Sequence, residues 1–299
     1  MRSGIFRNCS QTSARPLKSR AQDMSKGGRP RLSIRDALFS AVYKVYSTFS
    51  ARRFTSDLCD AQDKGFIGKM PHFNSVLKTL ENPEIFKALV SLIERSSLPL
   101  RSVESNFAVD STGFAFSRFV RWYDIKYNRF SAEQQWIKAH ICTGVKTNVI
   151  TSVEIHERDA ADVVQLPSLI QNTAKNFAMT EVSADKGYTG REALDAITAT
   201  GATPFIMFRS NATGDVGGVY GKMFHFFQFK REEFLKHYHQ RSNVESTVMM
   251  VKTKFGDSVN SKTEVAAKNE VLAKILCHNI CCLISAMYEL GIEPEFMCK

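Results

Sequence analysis

Residues 238–252 read YHQRSNVESTVMMVK. Four side chains in this run, Tyr238, Arg241, Glu245 and Lys252, form a set that a core helix does not line up. At ~100° per residue they fall at roughly 0°, 300°, 340° and 320° of a helical wheel, within one arc of about 60°. No Pro or Gly interrupts Arg231 to Phe255, and Gly256 follows as a C-cap, so the pattern predicts one helix over that span. Its polar face presents a carboxylate flanked by two cations and a phenol. Such a face suits an anionic partner, with the carboxylate left to hold a metal. An exposed salt-bridged stripe fits the same pattern, because Arg241 and Glu245 are an i,i+4 pair.

Working outward, two more acids stand where short apolar runs end. Phe107-Ala-Val-Asp110 reads as a strand ending in a carboxylate, and Met179 to Ala184 is a second such strand, ending at Asp185. Ligands gather beyond the carboxyl ends of strands in open α/β sheets. If the two strands are neighbours, Asp110 and Asp185 meet there, with Glu245 arriving from a helix packed across that edge. Three converging carboxylates repel unless a cation relieves them. Hard oxygen donors suit Mg²⁺ or Mn²⁺, and a pair of such ions is the usual arrangement for in-line attack on phosphate. Taken singly, Asp110 also reads as a strand-end cap, and Asp185 as a turn residue of DKGYTG.

The remaining chain reads as three regions. Residues 1–31 carry eight basic side chains against Asp23 and end in GGRPR, an arm or linker. Residues 32–100 are helical in texture. Ser33 offers an N-cap, Leu38, Val42, Val45 and Phe49 recur at helical spacing, and further helices are expected over Pro71 to Glu81 and from Asn82 or Pro83 to Arg95. This small all-helical region reads as a DNA-binding or dimerisation domain, or as an ordinary solvated helix surface. Residues 106–292 alternate. A hairpin over Trp136 to Val145 and Lys146 to Ile155 is followed by helices at Ala160 to Phe177 and Arg191 to Thr200. A strand at Pro204 to Phe208, a Gly-containing loop over Asn211 to Gly221 and a last helix over Thr263 to Leu290 complete the order. Strands that meander and then alternate with helices argue for a mixed sheet with helices on its faces.

The net charge of +10 is concentrated in the arm and points to nucleic acid or another anionic surface. The amino-terminal segment lacks the apolar run of a secretory signal, and the most apolar stretch, Ile275 to Ile292, is interrupted by His278, Asn279 and Glu289. Seven cysteines without regular pairing fit a reduced, cytoplasmic chain. Cys277, His278, Cys281 and Cys282 lack a second ligand pair and read as core residues rather than a zinc site.

Tyr238-x2-Arg241-x3-Glu245-x6-Lys252 resembles the complete C-terminal signature of the DDE transposases of bacterial insertion sequences. AVDST around Asp110 resembles the first acidic block of that family, and SADKGYTG around Asp185 resembles its second, with Gly187 and Tyr188 in place. The likeness runs from about Phe107 to Leu290. It implies an RNase H-like catalytic domain and a metal-holding triad of Asp110, Asp185 and Glu245, loaded with Mg²⁺ or Mn²⁺, two ions in all. It also implies DNA strand cleavage and strand transfer on double-stranded DNA by a homodimer associated with the nucleoid, with no membrane partner. By position Tyr238, Arg241 and Lys252 would handle DNA, and Lys186, beside the second aspartate, is a further phosphate candidate. The short interval between Asp185 and Glu245 leaves little room for the insertion domain of some relatives. Two other readings share the pattern: a metal-dependent nuclease of the same fold, and a DNA-binding protein derived from a transposase but catalytically inactive.

Overall fold

The computed structural model describes residues 32–116, 136–157, 161–215 and 217–294. The basic arm of residues 1–31 lies outside them. Four helices come first: α1 (Ile34–Ser47), α2 (Thr55–Asp63), α3 (Phe73–Leu80) and α4 (Glu84–Ser97). Ser33 caps α1 by accepting the Asp36 amide at 3.0 Å, and Leu38, Val42 and Val45 are buried along its inner face. Phe49 departs from this stripe. The helix closes at Thr48, in the left-handed region at φ 60°, and beyond that turn Phe49 is 48% exposed. The α2 segment was not expected from sequence, since only Leu58 and Ala61 are buried in its nine residues.

The sheet follows, with β1 (Asn106–Ala115), β2 (Trp136–Gly144), β3 (Ile150–Glu157), β4 (Glu181–Ala184) and β5 (Thr203–Ile206) in the spatial order β3-β2-β1-β4-β5. β1 pairs antiparallel with β2 and parallel with β4, so it is the strand at which the sheet changes direction. β1 also runs well past the expected end at Asp110, because β2 keeps pairing with it to Ala115 after β4 has stopped. The hairpin turn between β2 and β3 is fastened by the Glu104 carboxylate, which accepts the Lys146 amide at 3.2 Å and that of Thr147 at 2.5 Å.

Between and after the strands come α5 (Asp162–Ala174), α6 (Arg191–Thr198), α7 (Gly218–Phe229), α8 (Arg231–Tyr238), α9 (Ser242–Phe255) and α10 (Glu264–Glu289). Alternation along β1 feeds two cores. Phe107 and Val109 join Val182, Ala184 and the inner faces of α5, α6 and α7. Ala108 and Phe114 join Val244 and Val251 of α9, the length of α10 and helices α1 to α4. The result is a mixed sheet with helices on both faces and a helical N-terminal region, in keeping with an RNase H-like α/β fold.

Helix α10 is long and apolar enough to cross a membrane by length and composition, but 67% of its apolar window is buried inside the protein. Cys277 and His278 lie in that buried face. Asn279, fully buried, joins three elements. Its Oδ1 accepts the Ile150 amide at 2.9 Å, and its Nδ2 donates to the Ile150 carbonyl at 2.7 Å and the Ser96 hydroxyl at 2.9 Å. The 32–100 helices therefore share a core with the 106–292 region through α10.

One expectation needs correcting. The span Arg231 to Phe255 is not a single helix: α8 ends at Tyr238, residues His239–Arg241 form a 3-10 turn, and α9 begins at Ser242. Side chains there compete for the backbone. Ser242 Oγ donates to the His239 carbonyl at 2.9 Å and Asn243 Nδ2 to that of Gln240 at 3.0 Å. The turn is also tied to the sheet, since Gln240 accepts from Asn106 of β1 at 3.0 Å and donates to Glu181 of β4 at 3.3 Å. A straight helix would not meet these strand anchors.

Candidate active site

Asp110 and Asp185 come from neighbouring strands. The parallel register of β1 and β4 ends at the pair Val109–Ala184, so the two aspartates occupy the next position on each chain. Asp110 faces the α9 side of the sheet and keeps one oxygen on the backbone, where Oδ1 accepts the Ser111 amide at 2.8 Å. Asp185 is the first residue past β4 and precedes the 3-10 turn Lys186–Tyr188, whose start receives no hydrogen bond from the Asp185 side chain.

The third acid arrives through an arginine. Glu245, in the first turn of α9, accepts from Arg241 Nη2 at 2.6 Å, and Arg241 Nη1 lies 3.6 Å from Asp110 Oδ2. Glu245 is more than half exposed and Arg241 largely buried, so the guanidinium forms the floor and the carboxylate the rim. Burial raises the Asp110 pKa above the ordinary carboxylate range. The Ser111 amide and Arg241 oppose that shift, while Asp185 and Glu245 add to it by repulsion. For Arg241, burial disfavours the charge, but Tyr238, Glu245 and Asp110 outweigh burial and hold its pKa above normal.

Tyr238 belongs to the same group. Its ring stacks near Phe234 at 6.4 Å, the Arg241 guanidinium lies over it at 5.9 Å, and burial, ahead of the nearby charges, raises its pKa. Lys252 stands apart. Seven residues after Glu245, it is carried about 10 Å along α9. Its ammonium sits over the Phe114 ring at 5.5 Å, four residues beyond Asp110 on β1. Burial lowers its pKa, with Asp257 opposing. Lys186 is exposed and lines an open cleft of about 800 Å³ that also includes Asp185, Arg209 and Asn211. Arg209 carries no motif signal. It enters only because the chain after β5 returns past Asp185.

The donor set fits a hard divalent ion. It consists of carboxylate oxygens alone, and the Asp110 carboxylate, whose pKa is raised chiefly by burial and further by Asp185 and Glu245, is one whose charge such an ion would offset. In their present spacing, however, no three acidic, histidine or cysteine side chains among the described residues stand close enough to hold one metal together. Arg241 is the cation that balances Asp110 and Glu245 here.

Behind the acids, on the opposite face of the sheet, lies a buried polar group that sequence reasoning passed over. His140 of β2 pairs with Ser111 and is fully buried, with Nδ1 3.2 Å from the Tyr188 hydroxyl. Asp162 lies 3.6 Å from the same nitrogen and 2.6 Å from Lys138 Nζ. A lone histidine in an apolar strand gave no local signal.

Searches of curated proteins and of solved structures with this chain find no match. A family model described as the transposase DDE domain matches residues 101–280, more than half of the chain and including Asp110, Asp185 and Glu245. This chain belongs to the transposase DDE-domain family.

Proposed function

We propose that this transposase-family protein cleaves DNA strands at the ends of an insertion sequence and transfers them to target DNA, with Asp110, Asp185 and Glu245 as its metal-holding triad. The observation that carries this reading is where the three acids stand on the fold. Two occupy equivalent positions on adjacent parallel strands, and the third is linked to the first through one arginine. A bound pair of Mg²⁺ or Mn²⁺ ions would supply activation of the attacking oxygen and charge stabilisation at the leaving oxygen.

The chain's own residues divide the other work. Asp110 and Asp185 fix the strand-side edge of the site, and Glu245 closes it from α9. Arg241 and Tyr238 take the scissile strand, the guanidinium exchanging its carboxylate partners for phosphate oxygens. Lys186 and Lys252 hold the flanking backbone as point charges on either side. Double-stranded DNA, both element ends and target, is the partner. The helices of residues 32–100 and the basic arm contribute further DNA contact or the dimer interface. The site of action is the cytoplasm, on the nucleoid.

The test uses purified protein and labelled duplexes carrying the terminal repeats of its own element, with and without Mg²⁺. Metal-dependent nicking followed by joined products supports the transposase. Nicking without joining selects the nuclease of the same fold, and binding without nicking selects an inactive DNA-binding derivative. The presence of all three acids weighs against the last.

A further inference from the structure

We propose that His140 and Tyr188 form a pin that sets the spacing of the Asp110 and Asp185 carboxylates. Both are positioning residues for metal binding, and the inference rests on the assignment of those two aspartates above. Asp185 lies past the last paired residue of β4, so its place depends on what holds the turn after it. Three contacts do so. The Tyr188 hydroxyl meets His140 Nδ1 at 3.2 Å, and Thr189 Oγ1 donates to the Met207 carbonyl at 2.6 Å. The backbone at Gly187 packs on Asp162, where a Cβ would come within 3.2 Å of Oδ2. Within the turn the Tyr188 amide donates back to the Asp185 carbonyl at 2.9 Å.

The other end of the pin lies beside Asp110. His140 stands directly opposite Ser111, the next residue after Asp110 on β1. The path from Asp110 through Ser111, His140 and Tyr188 to Asp185 therefore closes on itself. Because parallel pairing has already stopped at Val109–Ala184, the sheet ladder does not supply that closure.

Packing alone would not select this pair. Tyr188 is 1% exposed and His140 fully buried, and His140 Nε2 has no hydrogen-bond partner among the described residues. An apolar pair of the same volume would fill the space without leaving a buried nitrogen unsatisfied. A directional bond fixes distance and angle as an apolar contact does not. Lys138, Asp162 and His156 are the charged or titratable neighbours of the imidazole, from β2, α5 and β3.

The test is Mn²⁺ binding to the protein–DNA complex, measured by titration calorimetry without turnover, for Tyr188→Phe and His140→Gln. Partners behind metal ligands typically change affinity by ~10–100-fold. Each variant is expected to bind Mn²⁺ at least about tenfold more weakly with unchanged DNA affinity, and the double variant no more weakly than the worse single one. Leu194→Ala, in the same core, controls for lost stability and is expected to melt earlier with normal Mn²⁺ binding. Mn²⁺ binding within twofold of the parent in both variants overturns the pin. So does failure of both to fold, since the pair would then be a structural element. Asp185→Ala separates the two levels: if it too binds Mn²⁺ normally, the triad assignment falls rather than the pin alone.

Discussion

Arg241 faces Asp110 at 3.6 Å across the gap between the His239–Arg241 turn and β1, while its second terminal nitrogen holds Glu245 at 2.6 Å. One guanidinium thus neutralises two of the three acids. A divalent ion and Arg241 compete for the same oxygens, so Arg241→Gln is expected to bind Mn²⁺ more tightly than the parent without DNA. In the parent, DNA should strengthen Mn²⁺ binding by drawing the guanidinium to phosphate. The same variant should lose about one unit from the slope of log affinity for DNA against log salt. Calorimetry and a salt titration measure both, and an unchanged slope would leave Arg241 only as the ion-pair partner of Asp110 and Glu245.

Asp110→Asn, Asp185→Asn and Glu245→Gln are each expected to lower the strand-cleavage rate by roughly a thousandfold or more, because loss of metal-ligand charge removes several kcal/mol of transition-state stabilisation. Asp110→Asn should in addition stabilise the metal-free protein at neutral pH. The native Asp110 pKa is raised, chiefly by burial, so its ionised form is unfavourable in the folded state. The sign for an acid so shifted is that stability is gained as pH falls through the raised native value toward the ordinary one. Thermal melting of the metal-free variant against the parent at pH 7 checks this, and a lower Tm would contradict it.

His278 gives the opposite pH dependence. Burial lowers its pKa from 6.5 to about 4, helped by Lys254 and opposed by the Asn148 carbonyl, which Nε2 contacts at 2.9 Å. Below pH 6.5 the unfolded chain takes up a proton that the folded one refuses until about pH 4. Stability is therefore lost across that window as pH falls, by on the order of 3 kcal/mol for a fully realised shift. Urea unfolding of His278→Gln between pH 7 and 4.5 should show a flatter profile than the parent, and identical profiles would remove His278 as the source.

Asn279→Ala should cost about 3 kcal/mol or more. It removes the partner of the buried Ile150 amide and three contacts made by Nδ2, to Ile93, Ser96 and Ile150. Because these bonds join α10 to both α4 and β3, the loss should appear as one cooperative shift in the urea midpoint. Early separate melting of the 32–100 helices would indicate that this region is held to the sheet by other contacts.

Much of the architecture was legible in the chain. Alternation at Phe107 to Val109 specifies a strand between two apolar layers, and the 3.6-residue recurrence in α1 and α4 specifies which face each helix buries. Most of the order of elements followed from that, and the three acids stood out in short motifs of their own. These features are local, because periodicity is a record of burial written within one element. The tertiary structure decided the rest. Ties from Gln240 to Asn106 and Glu181 accompany the break between α8 and α9. That break lets Arg241 reach Asp110 and leaves Lys252 over Phe114. The bond between His140 and Tyr188 joins a strand to a turn 48 residues away. A hydrogen bond between residues remote in the chain leaves no periodic trace in either segment, so only the folded arrangement reveals it.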